Sequence, residues 1–137
     1  MRFAAVSSKM ARAGYSVITD DEAAALARAT VNLFRAWHLT DAEARVLLGD
    51  LSSRTWARRK AGDVGRIGRD LRSRMATLMG IHIALRTIFT EPDRGYAWIR
   101  LPNEAFEGRC ALDMMMRGEI SDLVDLRAYL DAEQSAW

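Results

Sequence analysis

Side chains that catalyse reactions or bind metals are scarce in this 137-residue chain, which has two histidines and one cysteine. His38, His82 and Cys110 stand far apart and lack the close spacing of a zinc site. No Ser-His-Asp or Cys-His-Asp set occupies a recognisable motif, and the carboxylates of residues 119–133 have the pattern of an exposed helix face. The sequence therefore predicts no metal site, no cofactor and no enzyme activity.

Basic residues offer a different chemistry, which is the recognition of phosphates and base edges in DNA. Four of them fall within residues 54–60, in a helix that Ser52 or Ser53 can cap. If the N-terminal end of that helix enters the major groove, the DNA-binding residues are Ser52, Ser53, Arg54, Thr55, Arg58, Arg59 and Lys60. The alternative is a helical hairpin whose basic face is only solvated.

Two short helices between residues 40 and 62 must position this basic cluster. Thr40 and Glu43 form a capping box at the start of the first helix, since each side chain can bond the backbone N–H of the other residue. Gly49 and Gly62 are the expected C-terminal stops. Two capped helices joined by a tight turn have the length and turn chemistry of a helix-turn-helix.

A longer helix is predicted before this pair. Thr19 and Glu22 also have the spacing of a capping box. The apolar residues that follow at helical spacing are Leu26, Ala29, Leu33, Ala36 and Trp37. Both Trp37 and Trp56 are expected in the core rather than in a stacking role with a ligand.

The central part of the chain, from Val64 to Phe89, is predicted to be one long helix. Its apolar stripe consists of Ile67, Leu71, Met75, Leu78, His82, Leu85 and Phe89. Its second half is apolar nearly all round, which predicts burial either between two lobes or in a dimer interface, and Pro92 should end it. On this stripe His82 is expected to be a core histidine with its hydrogen bonds satisfied. The glycines of GDVGRIG, Gly62, Gly65 and Gly68, predict a loop hinge that leads into the long helix, since the strand and lysine of a phosphate loop are missing.

Charge is distributed unevenly along the chain. Residues 1–62 carry ten Lys/Arg against six Asp/Glu, whereas residues 91–137 carry five against ten. The basic N-terminal part and the acidic C-terminal part predict two surfaces with different partners.

The single cysteine, and the lack of a signal peptide or of an apolar run of about 20 residues, predict a cytoplasmic protein that does not enter membranes.

The segment RGYAWIRLPNEAFEGRCALDMMMRGEI, residues 94–120, places aromatic residues and three consecutive methionines beside several charges. In the final helix an apolar stripe is predicted at Ile120, Leu123, Val124 and Leu130.

Half of the residues in the chain are hydrophobic, and Ala, Leu, Arg, Met and Glu abound while β-branched residues are sparse. This composition predicts an all-α protein.

Three segments together resemble the Xre/MbcA/ParS antitoxin family, whose members are partners of RES-domain toxins. The segments are AWHLTDAEARVLLGDLSSRTWARRKAG, RIGRDLRSRMATLMGIHIALRTIF and AWIRLPNEAFEGRCALDMM. The third has the family's pattern in Trp98, Pro102, Asn103, Gly108, Leu112 and Asp113. Ala111 stands where the family commonly has proline, and Ser135 and Ala136 stand where it often has two glycines.

The resemblance implies an antitoxin of a type II toxin-antitoxin system. It implies a helix-turn-helix lobe over residues 1–63 that binds the promoter of its own operon as a repressor, a connecting helix over 64–90 and a small helical toxin-binding lobe over 91–137. The implied partner is a RES-domain toxin that degrades NAD and whose active-site cleft the C-terminal region blocks. The candidate toxin contacts are Trp98, Arg100, Asn103, Phe106, Arg109, Tyr129, Ser135 and Trp137.

The expected assembly is a homodimer that places two recognition helices about one DNA turn apart. Within residues 94–120, Trp98 and the methionines are expected to build a small core while residues 100–109 face the toxin. The alternative is a transcription regulator or a localisation adaptor without a toxin partner, since the family includes relatives with such roles.

Overall fold

The computed structural model describes residues 19–136, which contain α-helices and one short 3₁₀ turn but no β-strand. In chain order they are α1 (Asp20–Ala36), α2 (Asp41–Leu47), α3 (Ser53–Lys60), α4 (Arg69–Ile88), α5 (Pro92–Trp98), the 3₁₀ turn (Glu104–Phe106), α6 (Ala111–Met115) and α7 (Ile120–Ser135). The predicted all-α class, with an N-terminal helix-turn-helix and a C-terminal helical region, is confirmed. None of these helices is long and apolar enough to cross a membrane.

Helix α1 begins and ends through local hydrogen bonds. The Thr19 hydroxyl accepts the backbone N–H of Glu22 at 3.1 Å, which is one half of the predicted capping box. The Glu22 carboxylate accepts from the Thr19 hydroxyl at 3.2 Å. At the other end, His38 takes a positive φ of 56° and its N–H donates to the carbonyl of Arg35. A residue in the left-handed region just past the last turn stops a helix, and here a histidine does this where glycine is usual.

The second and third helices form the predicted helix-turn-helix. Thr40 and Glu43 make the reciprocal capping box of α2, and Ser52 caps α3 by accepting the backbone N–H of Thr55 at 3.1 Å. Both predicted glycine stops are confirmed, since each follows its helix with positive φ. Trp56 is buried as expected, and its indole N–H donates to an Asp41 carboxylate oxygen at 2.9 Å.

The central helix is shorter than the sequence pattern predicted. Residues 63–68 form a loop instead of the first turns, so the predicted start at Val64 is wrong, while the loop expected at the glycines of GDVGRIG is present. Pro92 does not end this helix either, because α4 stops at Ile88. The proline instead begins α5, where its missing N–H would have had no partner in any case.

Helix α4 lies between α1 on one side and α7 on the other. This is the first of the two alternatives predicted for its wide apolar surface, although Ile83 remains 40% exposed. Gly80 faces α7 closely, since a Cβ atom built there would lie 2.5 Å from Cζ of Arg127. The missing side chain therefore leaves room for the Arg127 guanidinium against the α4 backbone.

Helix α4 is also attached to α2 through a buried arginine. The Nε atom of Arg74 lies 3.0 Å from an Asp70 carboxylate oxygen, and its Nη1 donates to the carbonyl of Leu47 at 3.4 Å. Leu47 is the last residue of α2, so the guanidinium supplies a donor to a helix end that lacks internal ones.

The final helix buries a different stripe from the predicted one. Leu123, Leu126 and Leu130 are buried, whereas Val124 is 49% exposed. The steps of three and four residues keep the three leucines on one face, while Val124 lies about 100° away around the helix. The prediction that Val124 belongs to the buried stripe is therefore wrong.

His82 also differs from expectation. It is half-buried on α4 and its ring stacks on that of Tyr96 with centroids 6.1 Å apart, but its Nδ1 atom is buried without a hydrogen-bond partner. The prediction of a histidine with satisfied hydrogen bonds is therefore wrong. Burial, and then the charge of Arg86, lower the pKa of His82 below its ordinary value of 6.5.

This lowered pKa predicts a loss of stability in mild acid. Above pH 6.5 His82 is neutral in both states and has no effect, but as pH falls below 6.5 the unfolded chain binds the proton first. We expect the free energy of unfolding to fall between pH 6.5 and the pKa of the folded state, and His82→Gln to remove this part of the decrease. Urea denaturation at pH 7.5 and 5.5 measures it.

The matched control is His38→Asn, because asparagine tolerates the positive φ at that exposed position. Comparison of the two variants separates the effect of His82 from that of replacing a histidine as such. Identical losses between the two pH values in the wild type and in His82→Gln would show that His82 does not contribute.

Candidate functional site

The exposed surface of α3 carries part of the predicted DNA-binding set. Ser53, Arg54 and Arg58 are exposed, and the two arginines share one face because they are four residues apart. Ser52 and Thr55 are bonded to each other through the cap and through their hydroxyls, which lie 2.9 Å apart. The N-terminal turn of α3 therefore presents hydroxyls, backbone N–H groups and a guanidinium, which suit phosphate oxygens.

Arg59 points into the protein rather than toward solvent. It is only 8% exposed, and its guanidinium donates to the carbonyls of Val64 and of Arg66, the latter at 3.0 Å. Burial lowers the pKa of this guanidinium, and the charge of Asp63 partly offsets the effect. These hydrogen bonds attach Arg59 to the loop of residues 63–68, so its guanidinium is not placed to contact DNA.

Lys60 is likewise engaged within the helix-turn-helix. Its ammonium lies 2.9 Å from an Asp41 carboxylate oxygen and 6.0 Å from the ring centroid of Trp56. The hydrogen bond from Lys60 and then that from Trp56 lower the pKa of Asp41. Because this pair is partly exposed, it orients Lys60 without removing it from solvent.

One basic residue near α3 was missed by the sequence pattern. Arg35 is exposed on α1, and its guanidinium lies 3.4 Å from the carbonyl of Lys60 at the end of α3. The two residues are 25 positions apart, so only the packing of α1 against α3 brings this charge to the basic surface.

Three aromatic rings from the second predicted set form a cluster. The centroids of Trp98 and Phe106 lie 6.4 Å apart and those of Phe106 and Tyr129 lie 5.0 Å apart, both edge to face. All three rings are half-buried, so each keeps some surface for a partner. We call Trp98, Phe106 and Tyr129 the aromatic cluster.

Asn103 organises the loop that carries this cluster. Its side-chain oxygen accepts the N–H of Ala105 at 2.9 Å, and its amide lies 3.4 Å from the Tyr129 hydroxyl. Its own backbone N–H donates to the carbonyl of Arg109, while its carbonyl accepts the N–H of Gly108, both at 3.0 Å. Gly108 has a φ of 84°, which glycine adopts without strain.

Arg100 turns away from this loop toward the helix-turn-helix. Its Nη2 atom donates to the carbonyls of Trp37 and His38, each at 3.0 Å, and lies 3.8 Å from a carboxylate oxygen of Glu43. A cation there complements the negative C-terminal end of α1. Its geometry suits holding the two parts of the chain together better than the predicted toxin contact.

The other predicted toxin contacts lie at scattered positions. Arg109 is exposed, and the Ser135 hydroxyl donates to the carbonyl of Asp131 at 3.0 Å. Trp137 lies outside the described residues. Met115 is fully buried in the core and the half-buried Met116 packs against it, whereas Met114 is half-buried without belonging to that cluster.

Residues 19–136 contain no group of His, Cys, Asp and Glu side chains arranged to hold a metal ion. The basic face of α3 and the aromatic cluster are the two candidate surfaces of this part of the chain.

Comparison with known proteins assigns both parts of the chain. Residues 16–80 match the model of the antitoxin Xre-like helix-turn-helix domain, and residues 84–135 match that of the antitoxin Xre/MbcA/ParS C-terminal toxin-binding domain. The protein y4oB of Sinorhizobium fredii (strain NBRC 101917 / NGR234), which is uncharacterised, is 37% identical over 99 residues, which cover 72% of this chain and 75% of the relative. No solved structure matches. The two matched ranges meet inside α4.

The contacts of Arg100 predict a contribution to stability. Arg100→Ala should lower the free energy of unfolding by about 1 kcal/mol, because two charge-assisted hydrogen bonds are lost at a partly exposed site. Urea denaturation measures the change. Arg109→Ala is the matched control and should stay within about 0.5 kcal/mol of the wild type; equal effects of the two substitutions would contradict the assignment.

Proposed function

We propose that this chain, which belongs to the Xre/MbcA/ParS family of antitoxins, neutralises a RES-domain toxin that degrades NAD and represses its own promoter. The observation that carries the proposal is the presence in one chain of both matched domains, each with its own candidate surface. The chain is an antitoxin with a helix-turn-helix and a toxin-binding domain. The identity of the toxin, the type II system and the repression belong to the proposal.

The DNA-binding part of the proposal rests on α3. Arg54 and Arg58 are exposed on one face, next to an N-terminal turn whose N–H groups can bind phosphate. Arg35 adds a third cation from α1. A homodimer would place two such helices about 34 Å apart, which fits successive major grooves on one side of a palindromic site.

The toxin-binding part rests on the C-terminal region. The aromatic cluster and Asn103 lie within the matched toxin-binding domain, as do Arg109 and Ser135, and Trp137 follows it. Residues 91–137 carry ten acidic side chains against five basic ones. A cleft that binds the anionic dinucleotide NAD is expected to be basic, so an acidic partner surface would speed the encounter and help to occlude it.

From these two surfaces we assign one function to each part of the chain. We propose that residues 1–63 serve DNA binding, that residues 64–90 connect, and that residues 91–137 bind the toxin. The matched ranges meet between residues 80 and 84, so α4 is shared by both matched parts. This sharing supports a connecting role for α4.

The DNA-binding proposal predicts the effect of a double substitution. Arg54→Ala with Arg58→Ala should weaken promoter binding by tenfold or more and make the slope of log K against log salt shallower by about 1.8, because two phosphate contacts are lost. Fluorescence anisotropy over a salt series measures both quantities. Arg109→Ala is the control and should change neither. Unchanged affinity and slope in the double variant would exclude α3 as the DNA contact.

The toxin-binding proposal predicts the effect of removing the tail. Deleting residues 134–137 should abolish neutralisation of the RES-domain product of the neighbouring gene while leaving promoter binding intact. Growth and cellular NAD during co-expression measure the first, and anisotropy measures the second. A truncated chain that still protects cells would exclude the tail from the toxin cleft. A neighbouring product that never lowers NAD would favour a regulator or localisation adaptor without a toxin.

A further inference from the structure

Large apolar side chains at the surface are confined to one part of the described chain. Ile83, Leu101 and Val124 are 40%, 55% and 49% exposed, and no residue of the helix-turn-helix belongs to this group. Leu101 and Val124 lie inside the matched toxin-binding domain, and Ile83 directly precedes it. Leu101 is the most exposed of the three and, unlike the other two, lies in a loop.

The loop around Leu101 is held in place from several directions. The backbone N–H groups of Arg100 and Leu101 donate to the carbonyls of Ala97 and Trp98 at 3.1 and 3.0 Å. The preceding Ile99 is fully buried and its carbonyl accepts the N–H of Leu112 at 2.8 Å.

The residues on either side of Leu101 restrict the loop further. Arg100 anchors it to the end of α1, and Pro102, with its fixed φ, follows directly. The backbone of Leu101 is therefore fixed while its side chain extends into solvent. A single exposed leucine is ordinary on a protein surface, but one presented on a fixed backbone loses little conformational entropy when a partner covers it.

The surroundings of Leu101 favour a basic partner over a second copy of this chain. Glu104 begins the 3₁₀ turn that follows this loop and Glu107 comes directly after the turn, and both are exposed, whereas the neighbouring Arg100 is directed to the carbonyls of Trp37 and His38. Residues 91–137 as a whole carry an excess of acidic side chains. Two copies that met through this loop would bring like charges together, which opposes association.

We propose that Leu101 is the apolar anchor residue of this chain in its complex with the toxin. Its side chain enters an apolar pocket on the toxin, and basic residues surround that pocket. The inference rests on the proposed function, since it assumes that the partner is a RES-domain toxin. It adds a residue outside the predicted contacts and places a toxin contact at the loop between α5 and the 3₁₀ turn.

The test compares three single variants of the full chain for binding to the purified RES-domain product of the neighbouring gene by calorimetry. Leu101→Ala should weaken binding about tenfold or more, because the burial of most of a leucine side chain is lost. Leu101→Met should stay close to the wild type, since methionine restores the apolar volume. Val124→Ala is the matched control, similarly exposed at 49% but on α7, and should stay within about twofold.

Each outcome decides a separate point. A wild type that binds and a Leu101→Ala variant that binds equally well would overturn the anchor and leave the antitoxin function standing. A wild type that does not bind the RES-domain protein would instead overturn the proposed function. Light scattering on the free proteins completes the test, because a wild-type dimer that dissociates in Leu101→Ala would show a second copy to be the occupant and overturn the inference.

Discussion

Helix α4 is buried on two sides at once, against α1 and against α7, and the rest of the described structure depends on this burial. Met75, Leu78, Ile81 and Leu85 are almost completely buried, and they belong to one core cluster that includes residues of both matched domains. Because apolar burial is the main favourable term in folding, the two parts stabilise each other through α4. Both candidate surfaces are thus built on one core.

Arginine side chains stabilise the packing around α4 at the ends of helices and in the loop of residues 63–68. Arg59, Arg74 and Arg100 each donate to main-chain carbonyls, at the loop before α4, at the end of α2 and at the end of α1 respectively. A guanidinium can bond several carbonyls with its five donors, which a lysine cannot match. Of the predicted DNA-binding residues, Arg59 is used in this way, so the basic cluster of α3 has fewer exposed cations than its sequence contains.

The two candidate surfaces depend on the common core in different ways. The basic face of α3 depends on Trp56, which is buried and bonded to Asp41 and thereby fixes the orientation of α3. The aromatic cluster depends on Asn103, whose side chain and backbone close the loop that presents it. Each surface is thus oriented by a residue with satisfied hydrogen bonds, so binding does not require the loop or helix to be ordered first.

The sequence by itself determined the helices of the helix-turn-helix, their caps, the glycine stops and the family, because these features depend on residues a few positions apart or on their order along the chain. It did not determine the start of α4 or the separate short helix α5. It did not determine which side chains face outward. Arg58 and Arg59 are neighbours in the sequence, yet Arg58 is exposed whereas Arg59 is buried and bonded to the loop before α4. Arg100 bonds to carbonyls more than 60 positions away. Only tertiary structure decided these points, because successive helix positions point about 100° apart and packing alone selects the buried side.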